Sequence, residues 1–121
     1  MNKRKLLYVD DEHLNLMLFE ANLKSIFDVI IAENGVQGLE LINKNTDINI
    51  VISDMRMPEM NGIEFIKKAK DYLPNANYYI LTGYGMTSEI KEALDNQLIL
   101  KKFNKPFDIN EVINELQGNI Q

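Results

Sequence analysis

Residues 48–74 read INIVISDMRMPEMNGIEFIKKAKDYLP, and this stretch decides the fold class. Ile48 to Ser53 is a short apolar run rich in β-branched side chains, the composition of a buried strand. Asp54 interrupts it with a charge, and Pro58 and Gly62 read as the punctuation of a turn. The apolar spacing then becomes helical through Ile63, Ile66 and Ala69, until Pro74 closes the helix. A strand, a charged break and an amphipathic helix make one βα unit.

The same alternation recurs on both sides, giving five units in all. Strands are predicted over Leu6–Val9, Phe27–Ala32, Ile48–Ser53, Tyr78–Thr82 and Leu98–Phe103. Leu14, Met17, Leu18 and Ala21 mark the first helix; Val36, Leu39 and Ile42 the second. Met86, Ile90, Ala93 and Leu94 mark the fourth, and Ile109, Val112, Ile113 and Leu116 the fifth. The second, third and fourth strands read as continuous apolar runs, as in a parallel sheet covered on both faces. Parallel strands need right-handed crossovers of about a dozen residues or more, which these helices supply. The expected fold is α/β: a flavodoxin-like (βα)5 three-layer sandwich around a five-stranded parallel sheet. Without repeat or linker, residues 1–121 are expected to form one domain, with no output domain after the fifth helix and a fraying end from Gln117 to Gln121.

Composition narrows the chemistry. A chain of 121 residues with 45% hydrophobic content can build a core without staples. It has no cysteine, so disulfides, thiolate metal sites and cysteine nucleophiles are excluded, and a cytoplasmic location is expected. Eighteen acidic against thirteen basic residues leave a net charge of −5, which disfavours nucleic acid and anionic lipid as direct partners. The basic start ends its apolar run at Asp10, and no stretch reaches the roughly 18 apolar residues of a membrane span.

In an open α/β sheet, ligands bind beyond the carboxyl ends of the strands. The predicted strands end in Asp10-Asp11, Glu33-Asn34, Asp54, Thr82-Gly83 and Lys105-Pro106. Clustered carboxylates repel and hold their protons unless a cation joins them. Asp10, Asp11 and Asp54 against Lys105 leave an excess of two negative charges, which one Mg²⁺ would neutralise; all-oxygen ligands favour Mg²⁺ or Mn²⁺ over zinc. The plainer reading of Asp10 or Asp11 is a helix cap, and that of Asp54 a turn aspartate. An aspartate beside a metal and a lysine can also attack phosphorus to give an acyl phosphate. Thr82 offers a hydroxyl and Gly83 an unshielded N–H to such a group. Lys-Pro at 105–106 invites a cis peptide.

Taken together, Asp10-Asp11, Asp54 followed by Met57-Pro58-Glu59-Met60-Asn61-Gly62, Thr82, and Lys105-Pro106-Phe107 resemble the receiver domain of bacterial two-component response regulators over essentially the whole chain. The resemblance implies Asp54 as the phosphoacceptor. It implies Mg²⁺ held by Asp11, Asp54 and the main-chain carbonyl of Arg56, with Asp10 acting through water. Thr82 and Lys105 would contact the phosphoryl oxygens. The donor would be a histidine kinase, a phosphotransfer protein or a small acyl phosphate. The modified domain would present its fourth helix, fifth strand and fifth helix to a downstream protein, a fused output domain or a second copy of itself. Such a domain modifies and hydrolyses only itself and is not a metabolic enzyme.

Two other readings compete. A haloacid-dehalogenase-type phosphohydrolase would need an acid two residues after the nucleophile, where Arg56 stands. A degenerate receiver, acting as a phosphorylation-independent interaction module, would be expected to have lost part of the acid, threonine and lysine set.

Departures from the family pattern lie near the fifth strand. Its switch aromatic falls three residues before the lysine, at Lys102; Phe103 comes one later and by strand periodicity faces the other way. Either a bulge reorients Phe103 or the aromatic relay is absent, and the periodicity favours absence. Asn96 is expected to take glycine's left-handed role in closing the fourth helix. The separation of 23 residues from Thr82 to Lys105 resembles receivers with Thr-Gly-Tyr here, many of them joined to signalling-nucleotide enzymes. Arg56 and Tyr84, each two residues beyond a site residue, are expected to tune hydrolysis by controlling water access. His13 reads as a surface residue, the methionines after Asp54 as gap fillers, Lys67, Lys68 and Lys70 as a solvated face, and Lys101, Lys102 and Lys105 as a positive surface suited to an acidic partner.

Overall fold

A computed structural model of the protein describes residues 3–118. Five strands, β1 (Lys5–Val9), β2 (Asp28–Ala32), β3 (Ile50–Asp54), β4 (Asn77–Thr82) and β5 (Lys101–Asn104), alternate with α1 (His13–Leu23), α2 (Gly35–Lys44), α3 (Gly62–Tyr72), α4 (Ser88–Asp95) and α5 (Ile109–Gly118). All four strand pairings are parallel, in the order β2-β1-β3-β4-β5. This is the flavodoxin-like order, whose direction reverses between β1 and β3. The carboxyl ends of those two strands therefore flank a crevice, and they carry Asp10-Asp11 and Asp54.

Alternation along the strands divides the core into two layers. Leu7, Val9, Val51 and Ile80 face α2, α3 and α4, packing on Ile42, Phe65, Ile66 and Ile90. Leu6, Tyr8, Ile52, Leu81 and Phe103 face α1 and α5, packing on Leu16, Phe19, Val112 and Leu116. Central β3 and β4 are buried almost throughout, but β2 lies at the sheet edge and fully buries only Ala32.

Several sequence expectations shift. The first helix buries Leu16, Phe19 and Leu23, whereas Leu14, Met17 and Leu18 are exposed. Its apolar residues occur all round, so spacing alone does not choose the buried face. Val36 and Met86 are also exposed, and Met86 precedes α4. Phe27 lies outside β2, and β3 runs on to include Asp54. Leu98 to Leu100 belong to the α4–β5 connection, where the Leu98 N–H donates to the Ala93 carbonyl at 2.8 Å and the Leu100 N–H to the Tyr78 carbonyl at 2.8 Å. Gln117 and Gly118 continue α5, and the rest of the expected fraying end lies outside the described residues.

The end of α4 is a Schellman turn: besides the Leu98 bond, the Gln97 N–H donates to the Leu94 carbonyl at 3.1 Å. Gln97, not Asn96, holds the left-handed conformation, with φ of 61° against −86° at Asn96. A side chain with a Cβ is strained there. Gln97→Gly is therefore expected to stabilise the protein by about 0.5–1 kcal/mol, seen as a higher urea midpoint at unchanged slope.

Candidate phosphoacceptor and metal site

The end of β3 is held in place from both sides. The Met55 N–H donates to the Leu81 carbonyl at 3.0 Å, and the Gly62 N–H donates to the Met55 carbonyl at 2.9 Å, bringing the start of α3 back onto the strand. Gly62 permits this approach: a Cβ there would lie 2.4 Å from the Asp54 carbonyl oxygen and 2.7 Å from Ile80 Cδ1. The glycine read as turn punctuation is thus a contact point, capped by a reciprocal Asn61–Glu64 box.

Asp10, Asp11 and Asp54 are the described residues that form an acidic group able to hold a metal ion, with one oxygen from each lying within 4.8 Å of the others. Asp10 is fully buried and Asp54 only 4% exposed, while Asp11 opens to solvent. Lys105 Nζ lies 3.0 Å from Asp54 Oδ1 and 3.7 Å from Asp10 Oδ2. Its backbone N–H donates to the Thr82 carbonyl at 2.8 Å, which ties the β5 exit to the end of β4. The Lys105–Pro106 peptide is cis. Thr82 is 2% exposed, and its Oγ1 accepts the Tyr84 N–H at 3.1 Å, leaving the hydroxyl hydrogen available to donate.

Neither Asp10 nor Asp11 caps α1. The N-cap is Glu12, without a side-chain cap bond, while Asp10 Oδ1 accepts the Glu12 N–H at 2.9 Å in a local turn. Asp10 has further partners that the sequence reading did not single out. The buried Tyr8 hydroxyl donates to Oδ2 at 2.6 Å, and Asn15 Nδ2 donates to the same oxygen at 3.2 Å. Tyr8 shares a strand face with Asp10 by the two-residue period, a signal already present in the order Tyr-Val-Asp. Burial, reinforced by Asp10, drives the Tyr8 phenol far above its ordinary range, so it remains an O–H donor.

Burial pushes the Asp54 carboxyl up to about 6; Lys105 opposes the shift, and the Asp10 and Asp11 charges add to it. Burial pulls the Lys105 ammonium down, but Asp54 and Asp10 outweigh it and leave its pKa raised. An acid raised from its ordinary value near 4 binds its proton more tightly in the folded state. The Asp54 contribution is therefore most favourable below pH of about 4 and declines as pH rises toward about 6. With metal chelated, Asp54→Asn should gain roughly 2 kcal/mol relative to wild type between those limits, measured by urea unfolding across pH. A parallel pH response in the two proteins would refute this account.

The remaining expected residues separate. The Arg56 guanidinium stacks over the exposed Tyr84 ring at 3.9 Å, joining the β3–α3 and β4–α4 loops. On β5 the ladder pairs Ile80 with Lys102, Leu81 with Phe103 and Thr82 with Asn104, without a bulge. Phe103 is 1% exposed, stacked on Tyr79 at 5.5 Å in the α1–α5 layer. Lys102, on the opposite face, reaches Asn104 Oδ1 at 2.8 Å. Of the three lysines near β5, Lys101 lies 3.6 Å from Glu111 and 3.9 Å from Glu115, Lys105 pairs with Asp54, and Lys102 is held by the neutral amide of Asn104. His13 is exposed; Met55 is buried, and Met57 and Met60 pack on the core as gap fillers. Lys67 and Lys68 are exposed, and Lys70 is half-buried.

The model of the response regulator receiver domain family matches residues 6–117. The chain is 35% identical over 113 residues to sporulation initiation phosphotransferase F of Bacillus subtilis, covering 93% of this chain and 90% of that protein. It is 34% identical over 121 residues to a chemotaxis protein CheY homolog of Campylobacter jejuni, covering 94% and 92%. A solved structure described as adenylate cyclase from Rhodopirellula baltica superposes with a TM-score of 0.90 at 31% identity, over 96% of this chain and 86% of that one. The chain belongs to the response regulator receiver domain family. It is therefore a receiver domain of two-component phosphorelay signalling, in a family of signalling proteins and not of metabolic enzymes. Among the described residues, no helix is long and apolar enough to cross a membrane.

Proposed function

We propose that Asp54 is the residue phosphorylated in this receiver, with Asp10, Asp11, Thr82 and Lys105 as its machinery. The observation that carries this reading is the Lys105 ammonium 3.0 Å from Asp54 Oδ1, among carboxylate oxygens that lie within 4.8 Å of one another. The donor set fits Mg²⁺, or Mn²⁺ in its place: the oxygens are hard, and one lysine leaves the acidic charge unbalanced. Asp11, Asp54 and the main-chain carbonyl of Arg56 would hold the ion directly and Asp10 through water. When bound, the ion supplies positive charge to the phosphoryl oxygens.

An Asp54 carboxylate oxygen forms a bond to phosphorus as the bond to the donor's leaving group breaks, and the leaving group departs with that electron pair. Lys105 releases Asp54 Oδ1 and turns its three N–H donors toward the transferred group. Thr82 donates its free hydroxyl hydrogen to a phosphoryl oxygen, and this inward pull moves the end of β4 and its loop. Arg56 and Tyr84, stacked across two adjoining loops, narrow the approach of the hydrolytic water. The phosphoryl donor is a histidine kinase or phosphotransfer protein. The surface of α4, β5 and α5 is read by a downstream protein or a fused output domain, with Lys102 standing where an aromatic switch would otherwise be. The intact acid, threonine and lysine set does not favour a phosphorylation-independent module.

The test is intact mass after incubation with acetyl phosphate and Mg²⁺. One phosphoryl adduct is expected, absent from Asp54→Asn and from a chelated sample, and shorter-lived in the Arg56→Ala/Tyr84→Ala double variant. An adduct of full yield on Asp54→Asn would overturn the assignment, and an unchanged lifetime would remove the role given to the stacked pair.

A further inference from the structure

The ring of Tyr8 fills the core, stacked on Phe19 with centroids 4.1 Å apart, but its hydroxyl serves the acidic pocket. A carboxylate offers about four acceptor positions. At Asp10, the Tyr8 hydroxyl and the Asn15 amide both converge on Oδ2, with Lys105 Nζ 3.7 Å from it, while Oδ1 takes only the Glu12 N–H. Oδ2 thus carries two hydrogen bonds beside the Lys105 ammonium, whereas Oδ1 carries one and keeps acceptor capacity unused.

We infer that Tyr8 acts on the cation pocket through Asp10: its hydroxyl donates to Oδ2 and draws charge from the carboxylate, holding Mg²⁺ affinity below what the three carboxylates would otherwise give. The inference rests on the Mg²⁺-binding reading above. A donated hydrogen bond and a cation draw on the same carboxylate charge, so each weakens the other's hold, and the coupling is reciprocal. Loss of the hydroxyl destabilises the ion-free pocket more than the loaded one. Asp10 keeps its orientation through Asn15, Glu12 and Lys105.

Tyr8→Phe keeps the ring and removes only the donor. Isothermal titration of Mg²⁺ into wild type, Tyr8→Phe and Asn15→Ala at neutral pH, with circular dichroism to verify folding, separates the outcomes. The expected result is binding tightened about three- to tenfold in Tyr8→Phe, with a smaller change of the same sign in Asn15→Ala. Equal or weaker binding in folded Tyr8→Phe would overturn the inference, leaving Tyr8 a core ring and no more. If Tyr8→Phe does not fold, Asn15→Ala decides by the same sign. Absence of Mg²⁺ binding in folded wild type is a different failure, since it removes the metal reading itself and this inference with it.

Discussion

Gly62→Ala is expected to cost about 3 kcal/mol or more of folding stability, a large share of the 5–15 kcal/mol typical of a domain. The added Cβ would meet the Asp54 carbonyl oxygen at 2.4 Å and Ile80 Cδ1 at 2.7 Å. A flexible side chain could yield, but the nearer atom is backbone in a strand paired on both sides, with Asp54 opposite Leu81 on β4. Relief therefore requires α3 to move off β3 or Asp54 to shift. The first breaks the Gly62 N–H bond to the Met55 carbonyl, and the second displaces the carboxylate from Lys105. Urea unfolding measures the cost, and a loss under about 1 kcal/mol would show that the contact relaxes freely.

Phe103→Ala should lose about 3–5 kcal/mol through the cavity left between β4, β5 and α5, where the ring stacks on Tyr79 beside Val112 and Leu116. Lys102→Ala, removing a half-buried side chain bonded only to Asn104 in its own strand, should change stability by less than about 1 kcal/mol. The contrast bears on signalling. A relay aromatic must turn between two positions, whereas Phe103 is packed as core on the face away from Lys102. Phe103→Leu, which keeps most of the apolar volume, should retain phosphorylation-dependent partner binding, while Lys102→Tyr should alter it. Loss of that binding in folded Phe103→Leu would return the relay to Phe103.

Much of this was legible in the chain because it depends on local order. Strand-to-helix alternation specifies βα units, and handed crossovers leave few ways to wind them. Ligand sites then fall at the carboxyl ends of strands, which is why Asp10, Asp11, Asp54, Thr82 and Lys105 could be picked out by their places at strand ends. The buried face of α1 was not legible, since its apolar residues surround the helix and only the packed sheet selects Leu16, Phe19 and Leu23. Gln97 taking the left-handed position in place of Asn96 followed from where α4 ends, since the Gln97 and Leu98 N–H bonds back to Leu94 and Ala93 set the position of the turn and override residue preference.

By itself, the sequence determined the βα order, the one-sided placement of the acidic and basic residues, and the family to which the chain belongs, because period and position along a strand are local properties. Tertiary structure alone decided the distances that bring those residues together: Lys105 against Asp54, and Gly62 against the Asp54 carbonyl. Each of these contacts joins groups whose separation depends on how strand, turn and helix pack together, and burial, which raises the pKa of Asp54 and makes the Tyr8 hydrogen bond matter, exists only once the layers have closed over the sheet.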